Sequence, residues 1–178
     1  MTCIVGVQKG GKVWLGGDSA ASSRSMIEVI STPKVFKRGR FIYGFSGDYR
    51  TGQIVQHAFK EPDRRASVDP TVYMSTTYVD ALRKQLAHSG ALANDNGAEE
   101  ANIWLLIGYA GELFYLDNGF AILRFAADYS AIGSGSDFAL GALAATPNMP
   151  PALRVRRALE AAARHDPHVR PPFVTVSL

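Results

Sequence analysis

The distribution of apolar and polar positions along the chain predicts short strands and amphipathic helices in alternating groups. Residues 2–7 and 12–16 are rich in Val, Ile and Trp and are separated by Gly10 and Gly11, which is typical of a β-hairpin. Other short apolar runs predict further strands. They cover residues 28–30, 35–36, 41–45, 102–109, 112–116, 120–125, 129–132 and 173–178.

Four helices are predicted from capping residues, prolines and the spacing of apolar side chains. Asp48 is a candidate N-cap for a helix that ends near residue 60. Asp69 followed by Pro70 marks the start of a second helix, in which apolar residues recur at helical spacing to about residue 88. The other two helices are predicted at residues 137–145 and 151–164. Residues 89–100 are predicted to form a polar loop, and residues 19–25 a loop or an irregular strand whose backbone faces another group.

The order of these elements is strands, two helices, strands, two helices and a final strand. Helices that arrive in pairs between antiparallel strands predict two sheets packed face to face, with a helix layer on each outer side. The predicted fold class is therefore α+β, as a four-layer αββα sandwich. A chain of 178 residues can bury a substantial core in one domain, and we predict a single domain over residues 1–178.

Composition and charge exclude several classes of function. The net charge of +3 comes from lysines and arginines that are dispersed along the chain, which argues against nucleic-acid binding. No apolar run is long enough to span a bilayer and no leader segment is recognisable, so we predict a cytoplasmic protein without membrane contact. Cys3, the single cysteine, excludes an internal disulfide and a cysteine-rich zinc site. His165 and His168 are more typical of a solvated loop than of a metal site.

The candidate chemistry lies at the start of the chain. If Met1 is removed, Thr2 carries a hydroxyl nucleophile and a free amine that can act as its base. Asp18 follows Thr2 by 16 positions and Lys34 follows Asp18 by 16, each at the edge of a predicted strand. Taken singly, these are an ordinary translation start, a turn aspartate and a surface lysine. Together they supply a nucleophile, a cation beside it and a carboxylate that orients the cation.

Five segments of the chain resemble those of one protein family. Through them the chain is similar to the β-type subunits of the proteasome superfamily of N-terminal nucleophile hydrolases, and among them to the bacterial HslV peptidases. The likeness rests on TCIVGV at residues 2–7, LGGDSAAS at 15–22, TPK at 32–34, IYGFSGD at 42–48 and AIGSGSDFALGAL at 131–143. These segments extend over most of the chain.

The resemblance implies the αββα fold, a set of catalytic residues and the hydrolysis of peptide bonds without a metal or an organic cofactor. Gly44 would supply the oxyanion amide, and Ser134 would hydrogen-bond the terminal amine, although a serine at this position is also typical of a helix cap. Asp166 matches a further family aspartate through its Arg-His-Asp context. The catalytic set is Thr2, Asp18, Lys34, Gly44, Ser134 and Asp166, and the substrate-binding set is Ser19, Ala21, Ser22, Ile42, Tyr43 and Ser46.

The chain also departs from the family pattern. Cys3 stands where threonine is usual, and Val169 stands where many subunits have serine. The sequence ends at Leu178 with the last predicted strand, so we expect no long tail for docking an ATP-dependent unfoldase. The resemblance further implies a homo-oligomeric ring that takes peptides or unfolded proteins as substrates.

We therefore predict a threonine-type endopeptidase subunit that becomes active when Met1 is lost. Two alternatives stay open at the level of the sequence. One is a catalytically silent scaffold subunit of the same fold, and the other is an amidase of the same superfamily that cleaves a small molecule.

Overall fold

The chain forms two antiparallel sheets. In the computed structural model, which describes residues 1–23, 26–95 and 97–178, the first sheet has four strands. In spatial order they are β12 (Tyr129–Ile132), β1 (Ile4–Lys9), β2 (Lys12–Gly17) and β13 (Val174–Ser177). The predicted first hairpin is present, because β1 and β2 are joined by the turn at Gly10 and Gly11, where both glycines have positive φ angles.

The second sheet has five strands and faces the first. In spatial order they are β11 (Ile122–Leu123), β10 (Glu112–Leu116), β9 (Ile103–Tyr109), β6 (Phe41–Gly47) and β5 (Val35–Arg38). Two separate hairpins lie outside the two sheets. They are formed by β3 (Ala20–Ser23) with β4 (Met26–Val29), and by β7 (Leu92–Asp95) with β8 (Ala98–Ala101).

The helices arrive in two groups. The first group begins with α1 (Tyr49–Gln53), which continues as a π-helical turn over Ile54–Ala58. It continues with α2 (Pro70–Tyr73), a second π-helical turn (Met74–Tyr78) and α3 (Val79–His88). The second group is α4 (Ser136–Ala144) and α5 (Pro151–His165). Asp48 and Asp69 are the N-caps that the sequence predicts, since each carboxylate accepts a hydrogen bond from a backbone amide of the first turn.

Three apolar clusters separate four layers. One lies between the sheets and includes Ile4, Leu15 and Ile42. A second lies between the five-stranded sheet and the first group of helices, and a third lies between the four-stranded sheet and the pair α4 and α5. The predicted αββα sandwich is therefore confirmed.

The predicted loops are partly strands. Residues 92–95 and 98–101 pair as the hairpin β7–β8, so the prediction of a loop over 89–100 is wrong in part. Residues 20–23 pair with 26–29 as β3–β4, which agrees with the irregular strand that was the alternative for residues 19–25. Polar side chains do not prevent the pairing at 92–101, because Leu92 packs against the core and Ala101 is buried in it. Residues 24, 25 and 96 of these predicted loops lie outside the described residues. Within the described residues, no helix has both the length and the hydropathy that crossing a bilayer requires.

Candidate active site

Thr2 lies just before β1 at the end of the inter-sheet layer, with 5% of its surface exposed. Its hydroxyl accepts a hydrogen bond from Lys34 Nζ at 3.0 Å and donates one to the carbonyl of Met1 at 2.6 Å. Its backbone N–H donates to Ser134 Oγ at 3.2 Å. Lys34 and Ser134 lie 32 and 132 positions after Thr2 in the chain, and both bind it.

Asp18 follows β2 and lies beside Thr2 because β1 and β2 are neighbouring antiparallel strands, with Ile4 opposite Gly17. Its carboxylate accepts a hydrogen bond from Lys34 Nζ at 2.8 Å, and from the backbone amides of Cys3 at 3.0 Å and Ala20 at 2.9 Å. The carboxylate is buried but has several donors, which is the condition under which a buried charge is tolerated.

Lys34 precedes β5 and has only 1% of its surface exposed. Burial lowers the pKa of its ammonium group from the ordinary lysine value, and the charge of Asp18 opposes part of this shift. Its ammonium group lies between a carboxylate and a hydroxyl and bonds both. Lys34 is therefore fixed as a cation donor aimed at Thr2 Oγ.

The loop between β12 and α4 closes the site from the other side. Gly133 has a φ of +93°, and a Cβ at this position would lie 2.2 Å from the carbonyl oxygen of Thr2. The absence of a side chain lets Ser134 reach the Thr2 amide, and the Gly135 amide donates to the Thr2 carbonyl at 3.2 Å. A chain of hydrogen bonds thus connects the four residues that the sequence predicts. It runs from Asp18 through Lys34 and Thr2 to Ser134.

Gly44 lies in the middle of β6, where it contributes to the packing between the two sheets. A Cβ at Gly44 would lie 2.4 Å from Ile4 Cγ2, so this glycine lets the two sheets approach each other. The Phe45 amide bonds Lys34 O on the β5 side, and amide directions alternate along a strand. The Gly44 amide therefore faces β9 within the sheet, where it is paired with Leu106 and cannot serve an oxyanion near Thr2.

The backbone amide of Gly47 points away from β9, in the direction opposite to that of the Gly44 amide. By the same alternation its amide points to the β5 side, as that of Phe45 does. Strand β5 begins only at Val35, which is opposite Gly44, so no residue of β5 lies opposite Gly47. The amide of Gly47 is therefore directed past the end of β5, where Lys34 lies. Sequence reasoning identified the Gly-Phe-Ser-Gly segment but chose its first glycine, because register cannot be read from a glycine pattern.

Asp166 follows α5 and is 7% exposed. One carboxylate oxygen accepts a hydrogen bond from the His168 amide at 2.8 Å, and Oδ2 is buried without a partner among the described residues. Burial raises the pKa of the Cys3 thiol, and the charges of Asp18 and Asp166 add to the shift. The structure records no contact between Asp166 and Thr2 within the part of the chain that it describes.

The predicted substrate-binding residues divide into two groups. Ala21 and Ser22 lie half-buried in β3, and Ser22 Oγ accepts a hydrogen bond from the amine of Met1 at 3.3 Å. Ser19 is buried and its hydroxyl donates to Pro172 O at 2.6 Å, so this side chain holds the C-terminal segment rather than a ligand. Tyr49 lies beside the start of β3, because its hydroxyl donates to Ala20 O at 3.1 Å. Burial and the charge of Asp18 raise the pKa of Tyr49 to about 12.

Ile42 and Tyr43 do not line a pocket beside Thr2. Ile42 is fully buried between the sheets, and Tyr43 is fully buried under the helices, where its hydroxyl donates to Glu61 Oε1 at 2.8 Å. Their prediction as substrate-binding residues is wrong, since both faces of a central strand are covered in a four-layer fold. Ser46 lies at the end of the same strand and lines a cavity of about 820 Å³ together with Gly133 and Ser134.

Candidate metal ligands do not converge. Within residues 1–23, 26–95 and 97–178, no group of three or more His, Cys, Asp or Glu side chains could hold a metal ion. Cys3 is fully buried in the cluster between the four-stranded sheet and α4 and α5. The groups that the structure brings together at Thr2 are a hydroxyl, an ammonium group and a carboxylate.

Comparison with solved structures identifies proteins of the same fold. The BPH protein of Thiobacillus denitrificans, solved in complex with epoxomicin, has 20% sequence identity to the chain and a TM-score of 0.84, over 99% of this chain and 98% of that one. HslV from Trypanosoma brucei has 21% identity and a TM-score of 0.70, over 99% of each chain. Anbu, the ancestral β-subunit from Yersinia bercovieri, has 12% identity and a TM-score of 0.66, over 99% of this chain and 81% of that one.

No protein-family model matches the chain, and no curated protein sequence matches it significantly. The similarity is therefore one of fold, and it extends over nearly the whole length of the chain. The chain has the fold of the HslV-like N-terminal nucleophile hydrolases, as the resemblance of its segments predicts.

Proposed function

We propose that the chain is a threonine-type endopeptidase subunit whose nucleophile is Thr2 after the removal of Met1. The observation that carries the proposal is the buried contact of Lys34 Nζ with both Thr2 Oγ1 and Asp18 Oδ1, at 3.0 and 2.8 Å. A buried lysine is costly to desolvate and needs a partner for its charge. Its position against a threonine hydroxyl is the arrangement that activates an oxygen nucleophile.

The proposed reaction begins with proton transfer within Thr2. Once Met1 is absent, the α-amine of Thr2 is free, and its reference pKa of about 7.7 to 8.0 suits general-base catalysis near neutral pH. The cation of Lys34 favours the neutral form of that amine and stabilises charge on Oγ. Asp18 keeps Lys34 charged and oriented, and Ser134, at 3.2 Å from the Thr2 nitrogen, holds the amine.

The attack of Oγ on the scissile carbonyl produces an oxyanion, for which Gly47 is the proposed backbone donor. An amide that is fixed by a strand and aimed at the developing charge stabilises the transition state without reorganisation. The amine then returns its proton to the leaving nitrogen, which yields an ester on Thr2, and water releases this acyl group by the reverse sequence of transfers. Asp166 is proposed to act through its negative charge, which favours the protonated form of nearby groups.

Strand β3 is the proposed docking edge for the acyl half of the substrate. Ala20 is held by Asp18 at 2.9 Å, so the start of β3 lies beside the catalytic centre. An extended peptide can add a strand to such an edge through main-chain hydrogen bonds, next to Ala21 and Ser22. We further propose a cytoplasmic homo-oligomeric ring that encloses unfolded substrates.

The experiment combines the intact mass with activity. The purified protein should lack the mass of Met1, hydrolyse fluorogenic peptides and gain the mass of epoxomicin on Thr2. Thr2→Ala should abolish both readouts, and Arg156→Ala, on the exposed face of α5, should leave both unchanged. A protein with a free Thr2 that neither cleaves peptides nor reacts with epoxomicin would refute the proposal.

Other outcomes identify the alternatives. Retention of Met1 in the mature protein would indicate a silent scaffold subunit, because an acylated nitrogen cannot act as a base. Hydrolysis of small acylated amines without cleavage of peptides would indicate an amidase. Sedimentation of the active form as a multiple of the chain mass is expected for a ring, and an active monomer would exclude one.

A further inference from the structure

The cavity of about 820 Å³ beside Ser134 has no role in the proposed transfer of protons. Its walls are formed by strands of both sheets and by α4, through Trp104, Tyr115, Tyr129 and Leu140. Leu123 and Phe125, each 45% exposed, lie on its lining as well. Among the described residues that line it, none is charged. The volume lies within the range of about 300 to 1,000 Å³ that is usual for ligand pockets.

The cavity is continuous with the catalytic centre. Gly133 and Ser134 belong to its lining, and Ser134 Oγ lies 3.2 Å from the Thr2 nitrogen. Ser46 lines it too, and its hydroxyl lies 3.1 Å from where a Cβ on Gly133 would be. A substrate held at Thr2 therefore has this apolar space directly beside its reacting bond.

The position of the Thr2 nitrogen decides which half of a substrate faces the cavity. The amine must return its proton to the leaving nitrogen, so the leaving half of the peptide lies on the side of Thr2 where the amine is. Ser134 lies on that side. Lys34 binds the hydroxyl from the other side, where Asp18 holds Lys34 and the Ala20 amide at the start of β3. The acyl half then follows β3, and the leaving half enters the cavity.

We propose that this cavity binds the side chain that follows the scissile bond, and that the peptidase prefers large apolar residues at that position. The inference rests on the proposed function. Apolar walls stabilise an aromatic or branched side chain by removing its surface from water. A carboxylate or an ammonium group in the same place would lose hydration without gaining a charged partner from the lining. The space is larger than one side chain, so the following residue can contact it too.

The test uses internally quenched peptides that share one acyl half and differ only in the first residue of the leaving half. We expect kcat/KM to be about tenfold or more higher with Phe or Leu than with Asp or Gly. Phe125→Glu places a carboxylate at the cavity and should reduce the preference for Phe over Asp to about threefold or less. Leu123→Glu repeats the test from a second wall position.

Leu153→Glu is the matched control, because Leu153 is an exposed apolar residue on α5 that is not part of the cavity. It should keep the full preference. Epoxomicin reports on Thr2 in every variant, so loss of the fold or of the nucleophile is recognised separately. Normal labelling with equal rates for all leaving residues would overturn the inference alone. Absence of both labelling and cleavage would overturn the proposed function and the inference together.

Discussion

At the scale of single residues, Gly133 is a position where any side chain would collide with the backbone of Thr2. Gly133→Ala requires a Cβ that would lie 2.2 Å from the Thr2 carbonyl, at a φ of +93°. We expect the Thr2–Ser134 contact to be lost and kcat/KM to fall by about a hundredfold, since misplacement by 1 Å can cost this much. Peptide turnover with titration of the active sites measures the effect.

Gly141→Ala is the control for Gly133→Ala. Gly141 lies in α4, where no atom comes within 4 Å of an added Cβ. Alanine should raise the free energy of unfolding there by about 0.5 to 1 kcal/mol and leave turnover unchanged. If both variants had the same activity, the close approach of Gly133 to Thr2 would have no catalytic importance.

The two amino groups of the site predict a bell-shaped dependence of kcat/KM on pH. Activity should rise as the Thr2 amine loses its proton, at a pH below about 8 because the Lys34 cation lowers that pKa, although Asp18 and Asp166 oppose the effect. It should fall again as Lys34 loses its proton, and burial lowers the pKa of Lys34. The alkaline limb should therefore lie below about pH 10.4, the value for a free lysine. A profile that is flat from pH 6 to 10 would contradict these roles.

The residues that sequence reasoning placed correctly in one site are those whose spacing and chemistry act together. Thr2, Asp18, Lys34 and Ser134 form one chain of hydrogen bonds, and each carries a functional group that its neighbour completes. Ile42 and Tyr43 were misplaced because β6 is a central strand with both faces covered, so side chains pointing either way are buried. Gly44 was misplaced because amide directions alternate along a strand, which a glycine pattern does not reveal.

At the scale of elements, Arg154 connects α5 to the strand that leads into the site. Its guanidinium is 1% exposed, donates to Asp128 at 2.7 Å and to Leu143 O at 3.1 Å, and lies 5.2 Å from the centroid of the Tyr129 ring. Arg154→Ala should lower the free energy of unfolding by about 3 kcal/mol, because it removes the buried packing of the side chain and its hydrogen bonds to Asp128 and to the Leu143 carbonyl. Urea unfolding measures the change.

Arg156→Ala is the control on the same helix. The Arg156 side chain is 70% exposed and pairs only with Glu160 on the surface, so the expected loss is below about 0.5 kcal/mol. Equal losses for Arg154→Ala and Arg156→Ala would show that the buried contacts of Arg154 contribute nothing to stability.

Most elements could be predicted from local patterns, and the exceptions have a physical cause. Capping aspartates, prolines and apolar spacing correctly located all helices that contact the core. The hairpin β7–β8 was missed because its few apolar residues stand among Asn, Asp and Glu, which leaves no sustained alternation to detect. The strand predicted at residues 120–125 shortens to Ile122–Leu123, since Phe120 adopts a φ of 70° in the turn that precedes it.

At the scale of the whole molecule, the sandwich holds the site together without depending on the catalytic charges. A buried ion pair is often no better than apolar side chains of the same size. Lys34→Met combined with Asp18→Asn should therefore be more stable than Asp18→Asn alone, because it also removes the cation that asparagine cannot neutralise, and it should abolish turnover. Asp18→Asn alone leaves an uncompensated buried cation and should cost about 3 to 5 kcal/mol. A double variant less stable than either single variant would contradict this expectation.

The amide donors around Asp18 also bear on how such a protein could change in evolution. Cys3 donates to Oδ1 of Asp18 and Ala20 donates to Oδ2, so an asparagine at position 18 would keep one acceptor oxygen and turn its NH2 group towards the other amide. After gene duplication, a copy that lost this charge would therefore need further substitutions around position 18 to remain folded. The backbone around Asp18 in this way favours keeping the carboxylate even where its chemistry is no longer used.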